Sequence, residues 1–421
     1  MGHARMACGM FGLYRIGGQT ALIFAACFII TASFFLAYRQ CSERPHLAVF
    51  AVLLGAFAST MTWGARPQML SMLLTALLLY LLYLIRHTKR SLWWTLPVLT
   101  AVWSNMHGGY FICYVAIGAV IIGDLLAHLA DQRTAATLDR RNLRNLSISL
   151  GMSIAAAGMN PNGYRILWYP FETLGSRAMQ EYIQEWASPN FHQPEYWSTI
   201  ALLFAGALVL ILSRRQRDIS DMLLFGGFSL MALLSIRHIP LFSVVSVPIV
   251  TRYASSIEFG KLRWDLSRPP DFRPPRRALV ILNWLLVLVF LAASVQRLAG
   301  VLKENQIEEA RHFPVNAVNF IQQQGLVEKR IYNSYNWGGY LLWRGIRVFI
   351  DGRADVYLDD FINEYMLAYM IRNRWRVPLD KFAVDYVLIE RDGPLSILLR
   401  EIPEWQKLYE DDLAIILMRT R

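Results

Sequence analysis

The chain has 421 residues, 55% of them hydrophobic and 17% charged, with a mean hydropathy of +0.32. A soluble domain carries about a quarter charged residues, so this composition argues against an ordinary soluble protein and for the membrane class. The net charge is +11, but the basic residues fall in short loops between apolar runs, which argues against a nucleic-acid groove.

In chain order, apolar runs predict helices at about 19–38, 46–63, 68–86, 92–105, 108–129, 146–160, 196–213, 219–236, 239–254 and 277–298. Several are shorter than the ~20 residues that cross a bilayer, which suggests a bundle with a water-filled recess. Every second loop is basic: Arg39 and Arg44; Arg86, Lys89 and Arg90; Arg133, Arg140, Arg141 and Arg144; Arg214, Arg215 and Arg217. Segment 252–277 adds Arg252, Lys261, Arg263, Arg268, Arg273, Arg276 and Arg277, partly within RPPDFRPPRR. The intervening loops hold only Arg66, Arg165, Arg177 and Arg237. The positive-inside rule then puts the basic loops in the cytoplasm, with the N-terminus and the tail outside. Arg5 and Arg15 lie on the wrong side for that rule. An earlier span preceding Met1 is therefore expected, with a natural outward start as the alternative.

From about residue 301 charges become frequent. FPVNAVNFIQQQG reads as a helix ended by Gly325, RIYNSY as a strand, GGYLLWRG as a short helix and RVFID as a strand. VYLDDFINEYMLAYMI reads as a helix, followed by strand VDYVLIE, helix SILLREI and strand LAIILMR. The expected fold is a polytopic all-α transmembrane bundle of about ten helices over 1–300, some short, followed by a small extracytoplasmic α/β domain over 301–421 with a largely parallel sheet. The four cysteines, Cys8, Cys27, Cys41 and Cys113, share no metal-type spacing and form no disulfide framework. The first apolar run begins near Gln19 with no clear small-residue cleavage site after it.

Five polar clusters fall in the outer connections: GARPQ (64–68), WSNMHGG (103–109), MNPNG (159–163), IQEW (183–186) and IRHIP (236–240). Each has an ordinary use. The prolines and glycines punctuate turns, Asn105 and Asn160 suit helix ends, and Arg66 and Arg237 suit lipid headgroups. Together they predict a polar recess. Arg66, Arg237 and His238 would meet a phosphate or pyrophosphate, and Gln68, Asn105, His107 and Asn160 would bond sugar hydroxyls or phosphate oxygens. Gly108 and Gly109 would allow close backbone approach. Glu185 offers a carboxylate for general-base work, and Trp186 a face for a sugar or an anchor at the interface. In the tail, Asn333, Asn336 and Trp337 would follow one strand and Asp351, Arg353 and Asp355 the next, where parallel sheets bind ligands. The plainer alternative there is a Gly338–Gly339 turn, a capping Asp351 and an Arg353–Asp355 pair. The spacing matches no GxGxxG or P-loop.

With RPQ, WSNMHGG, NPNG, EW, RHIP, NWGGYL and DGRAD in this order, the chain resembles the GT-C superfamily of polytopic glycosyltransferases. It is most similar to the branch near protein-mannosyltransferase-type and aminoarabinose-transferase-type enzymes, and within it to uncharacterised bacterial membrane proteins. The resemblance covers nearly the whole chain. It implies a multi-pass protein of the bacterial inner membrane, in the cell envelope, that transfers a sugar from a polyprenyl-phosphate carrier to an unknown acceptor at the extracytoplasmic face. The partners expected are that lipid-linked sugar, the acceptor and the bilayer, with no nucleic acid. GT-C enzymes carry a catalytic Asp or Glu in the first large outer loop, and nothing here matches that loop. The chain opens at LYRIGGQTALIF, as if entering a later span. The expectation is a shortened chain without turnover of its own, in which Glu185 is the best substitute base. A divalent metal ion could help the leaving phosphate, though no ligand set is defined. The competing expectation is a non-catalytic binder or transporter of a lipid-linked glycan.

Overall fold

The computed structural model describes residues 2–41, 44–257 and 277–420. Of the predicted basic loops, Lys261, Arg263, Arg268, Arg273 and Arg276, with most of RPPDFRPPRR, lie outside the described residues. The chain opens with α1 (Gly2–Tyr38), broken where Gly17 and Gly18 leave helical geometry. There follow α2 (Pro45–Ser59), α3 (Pro67–His87), α4 (Thr95–Ser104), α5 (Ile112–Leu129) and α6 (Arg140–Ala157). Next come the short α7 (Tyr169–Gly175) and α8 (Arg177–Tyr182), then α9 (Trp197–Leu212), α10 (Ile219–Leu234), α11 (Ile239–Ala254) and α12 (Arg277–His312). Proline at the start of α2, α3 and α11 fits, since the first turn needs no intrahelical N–H donor.

Each predicted apolar run is helical, and among the described residues six helical stretches are long and apolar enough to cross a membrane: Gly9–Tyr38, Pro45–Thr62, Pro67–His87, Gly108–Leu129, Pro194–Leu212 and Arg277–Leu298. Chain contacts divide the described residues into a helical unit, from 1–175 and 183–272, and a second unit, from 176–182 and 273–421. In the helical unit α11 is the central element, with every residue from Ile239 to Tyr253 buried. In the second unit α12 is apolar and exposed on all faces over its first 21 residues, Arg277–Arg297. A helix apolar all round is stable only in apolar surroundings.

Three of the predicted loop arginines, Arg44, Arg86 and Arg252, are buried, and the last two enter an ion network. Arg86, on the last turn of α3, donates to Asp124 of α5 at 2.8 Å and to both carboxylate oxygens of Asp218 at 3.0 Å. Arg252, on the last turn of α11, donates to Asp221 of α10 at 2.5 Å. Ser220, Leu138 N and Thr134 donate to the same carboxylates, and the Tyr253 hydroxyl donates to Asp221. All five charged side chains are buried. A helix-end arginine and a loop arginine look alike in sequence; only the partners distinguish them.

The second unit continues with α13 (Val315–Gln323), β1 (Ile331–Asn333), α14 (Gly338–Trp343), α15 (Ala354–Tyr369), α16 (Arg376–Lys381), β2 (Tyr386–Glu390), α17 (Pro394–Arg400), β3 (Trp405–Glu410) and β4 (Ala414–Arg419). The sheet order is β1-β2-β4-β3. Only β1 and β2 are parallel, while β2–β4 and β4–β3 are antiparallel, so the largely parallel sheet expected from sequence is corrected to a mixed one. RVFID is not a strand: the Asn333 side chain accepts from Phe349 N and donates to Ile350 O, both at 2.8 Å, and takes the place of a ladder. WQKLYE, unpredicted, is β3. A register shift at Lys407/Tyr409 breaks the alternation that would have revealed it. Asp411 closes this hairpin by accepting from Leu413 N and Ala414 N.

Arg86→Ala leaves buried carboxylates without their cation and should lower the stability of the detergent-solubilised chain by about 3–5 kcal/mol. Arg133→Ala removes only an exposed pair with Asp131 and should cost about 0–1 kcal/mol. Urea unfolding of both variants checks this; equal small losses would contradict an internal role for Arg86.

Candidate functional site

Three of the five polar clusters meet around Arg66. Its guanidinium pairs with the Glu185 carboxylate, and both side chains are partly exposed. The Glu185 carbonyl accepts from Ser235 Oγ at 2.9 Å, and the Ala187 carbonyl accepts from Ile236 N at 3.0 Å. Trp186 lies under Arg237, whose guanidinium carbon is 4.9 Å from the ring centroid. That contact holds a cation on the face of the residue next in sequence to Glu185. Gln68 Oε1 and His238 Nδ1 are buried with no hydrogen-bond partner among the described residues. Such an orphan costs about 1–3 kcal/mol, so both are poised for a further partner.

Arg66 also lines a groove of about 560 Å³ in the helical unit. Leu13, Leu22 and Ile29 of α1, Met69 of α3, Val102 and Met106 make its wall mostly apolar, and Met10 and Met159 add further pliable thioethers. Arg66 and Asn105 are the only charged or amide side chains among the lining residues. The groove falls within the size range of ligand pockets, about 300–1,000 Å³.

The other two clusters bind each other. Asn105 Nδ2 donates to Ala101 O and, at 2.8 Å, to Met159 O. Asn160 Nδ2 donates to Ser104 O at 2.7 Å, and its carbonyl accepts from Asn162 N. These amides fasten the end of α4 to the 159–162 turn, so Asn160 is built into the wall. His107 is buried too. Trp103 Nε1 donates to Ser71 Oγ at 2.9 Å, leaving the Ser71 hydroxyl to donate to His107 Nδ1 at 2.7 Å. Gly109 N donates to the same ring nitrogen at 3.1 Å, so the neutral ring carries its proton on Nε2. A Cβ on Gly109 would lie 2.5 Å from Ser71 Oγ. The close approach that Gly108 and Gly109 allow is to the protein's own side chains.

In the second unit the two tail motifs come together. A Cβ on Gly338 would sit 2.2 Å from Ile350 O and 2.6 Å from Asp351 Cα, so only glycine fits there. Most of the polar groups, however, are already used. Asn333 is consumed by the 349–350 backbone, and buried Trp337 donates to His312 O at 3.1 Å. Asp351 is buried and accepts from Arg353 N, Nε and Nη2 and from the Tyr357 hydroxyl. Arg353 thus pairs with Asp351, not with Asp355 as the plainer alternative had it. Asn336 is exposed and Asp355 half-buried on the first turn of α15. Burial opposes the charge on Asp351, yet the Arg353 and Tyr357 hydrogen bonds hold its carboxyl below the usual carboxylate range.

Among the described residues, no group of three or more His, Cys, Asp or Glu side chains is placed to hold a metal ion. The donors around Glu185 do not form a ligand set, and no step below is routed through a metal. Sequence reading missed the buried ion network. Its signal was Asp124, a lone carboxylate in an apolar run.

Because the folded-state pKa of Asp351 is depressed, its stabilisation is present above the unfolded value of about 4 and is lost as pH falls below it. Asp351→Asn should therefore destabilise the second unit at pH 7 by about 1–3 kcal/mol, with the difference from wild type shrinking as pH falls through the depressed carboxyl range. Amide exchange of segment 331–360 in the full chain reads this. No loss at pH 7 would free Asp351 for a binding role.

No protein-family model matches the chain, and no curated protein matches it, so the residues themselves carry the functional reading.

Proposed function

We propose that the chain binds a polyprenyl-phosphate-linked sugar and transfers the sugar to an acceptor hydroxyl at the extracytoplasmic face of a bacterial inner membrane. One observation carries the reading: Arg66 belongs at once to a mostly apolar groove and to the carboxylate of Glu185. A lipid chain suits the groove, and its phosphate suits Arg66 with Arg237 nearby. Glu185 would take the proton of the acceptor hydroxyl. The acceptor oxygen would attack the anomeric carbon, and the bond to the lipid phosphate would break with its electron pair going to the phosphate, where Arg66 stabilises the charge. In this reading the shorter helices complete a bundle of about ten membrane helices. Lys89, Arg90 and Arg133 lie in connections, and Arg140 and Arg141 on the first turn of α6, at the other ends of the helices from Arg66, which supports an outward-facing site. The second reading, a non-catalytic binder or transporter of a lipid-linked glycan, is favoured by the pairing of Glu185 with Arg66, which occupies the base.

Orientation is tested by impermeant thiol labelling of intact cells. Cysteines at Ser188 and Ile397, both exposed, should react, and one at exposed Gln132 should not. Equal labelling at all three would overturn the outward site.

Binding is tested with undecaprenyl phosphate and the full chain in phospholipid nanodiscs. Arg66→Ala and Arg237→Ala should each weaken affinity about 10- to 100-fold, the value of a charge-assisted hydrogen bond. Glu185→Gln should keep binding and lower sugar transfer about 10²–10⁴-fold. Unchanged affinity in both arginine variants would refute the phosphate site. Tight binding with no transfer in any form would select the non-catalytic reading.

A further inference from the structure

We propose that segment 163–175 lies in the plane of the bilayer surface and seats an aromatic stripe between phospholipid headgroups and the ends of the acyl chains. The segment follows α6 and lies wholly in the helical unit. It forms a 3-10 turn over Gly163–Leu167 and then α7. Ile166, Pro170 and Thr173 are buried, at the three- to four-residue spacing of one helix face. Tyr164, Trp168, Phe171 and Leu174 keep the same spacing on another face, and each is 49–67% exposed. A surface helix in water turns its polar side outward. Here the outward side is apolar, with exposed Arg165 and Glu172 at its margins.

The bundle holds this segment at one height. A Cβ on Gly158 would run into the Tyr164 ring, and one on Gly108 into the Tyr169 ring, so both rings sit against glycine backbone. The Tyr110 hydroxyl donates to the Ile166 carbonyl at 2.5 Å. Phe171 meets Phe111 edge-on, with ring centres 5.8 Å apart. Gly108, Tyr110 and Phe111 form the first turn of Gly108–Leu129, a stretch long and apolar enough to cross a membrane. The start of such a stretch is where hydrocarbon gives way to headgroups, and the segment is fastened there. Trp and Tyr are enriched at that level because an apolar ring carries a polar edge. Arg165 is placed to lay its stem along the apolar side and its guanidinium among phosphates.

The stripe also continues beyond the segment. Ile148 and Met152 on α6 and Met159 just after it are exposed, at four- and seven-residue intervals. A phospholipid bilayer is the one partner that meets both this face of α6 and the stripe at the end of a span. Met159 lines the groove beside Arg66 as well, so the stripe adjoins one wall of that groove.

Electron paramagnetic resonance on the full chain in phospholipid nanodiscs tests this. The four cysteines are replaced by alanine, and a nitroxide is attached at Trp168→Cys, at Phe171→Cys or, as an aqueous reference, at Gln132→Cys in an exposed loop. Power saturation with oxygen and with a water-soluble nickel chelate reads depth. Labels at 168 and 171 should respond chiefly to oxygen and lie about 5–10 Å into the headgroup and acyl boundary, while the label at 132 responds to nickel. Labels at 168 and 171 that respond to nickel as the one at 132 does would overturn the proposal. Shielding from both reagents would reveal a protein partner on the stripe and overturn it too. The unsubstituted chain supplies a second reading if the cysteine-free one fails to fold. Phospholipids bearing a diazirine near the acyl carbonyl should label residues 164–174, and adducts elsewhere on the helices with none in this segment would overturn the proposal. Neither measurement involves a polyprenyl phosphate or sugar transfer, so the result is separate from that of the proposed function.

Discussion

Five of the charges buried in the apolar bundle, Arg86, Asp124, Asp218, Asp221 and Arg252, must find one another, and much of the helical unit follows from that requirement. Arg86 meets Asp124 and Asp218, and Arg252 meets Asp221, only if α3, α5, α10 and α11 lie at matched depth. Apolar packing alone leaves helices in lipid free to slide, because lipid tails are as apolar as their partners. Buried pairs of this kind do little for net stability, but a misplaced one is costly, so they select a register. Helices α3, α10 and α11 carry the network at one end and Arg66, Ser235, Arg237 and His238 at the other. The 21 residues of α3 span about 32 Å, so the network fixes a distant recess through rigid rods.

The helices were legible because apolar runs of fixed length and proline starts report backbone hydrogen bonding within one segment. The network was not, because the partners of Arg86 lie 38 and 132 residues away and its position at a helix end imitates a topology charge. At the outer connections, residue types pointed to five polar clusters, and which residues contact which is settled only in three dimensions. Asn105, His107 and Asn160 bond to the protein's own backbone and side chains, while Arg66 pairs with Glu185 and Arg237 lies over Trp186. In the tail, strand RIYNSY was legible from its apolar alternation. Segment RVFID failed as a strand because a single side chain, Asn333, replaced the ladder beside it.

Arg66 joins two kinds of surroundings. One is a mostly apolar groove of about 560 Å³, and the other is polar, with the Glu185 carboxylate next in sequence to Trp186 and its stacked Arg237. Under the proposed function, electrostatics and the hydrophobic effect would each act on one half of an amphipathic lipid-phosphate-linked substrate.

The most direct measurement is photocrosslinking of the full chain with a polyprenyl phosphate bearing a diazirine on its isoprenoid tail, followed by mapping of the labelled residues. The account predicts adducts at Leu13, Leu22, Met69 and Met106, suppressed by unlabelled polyprenyl phosphate but not by the corresponding neutral alcohol. Adducts spread along exposed α12, or equal competition by the neutral alcohol, would contradict it.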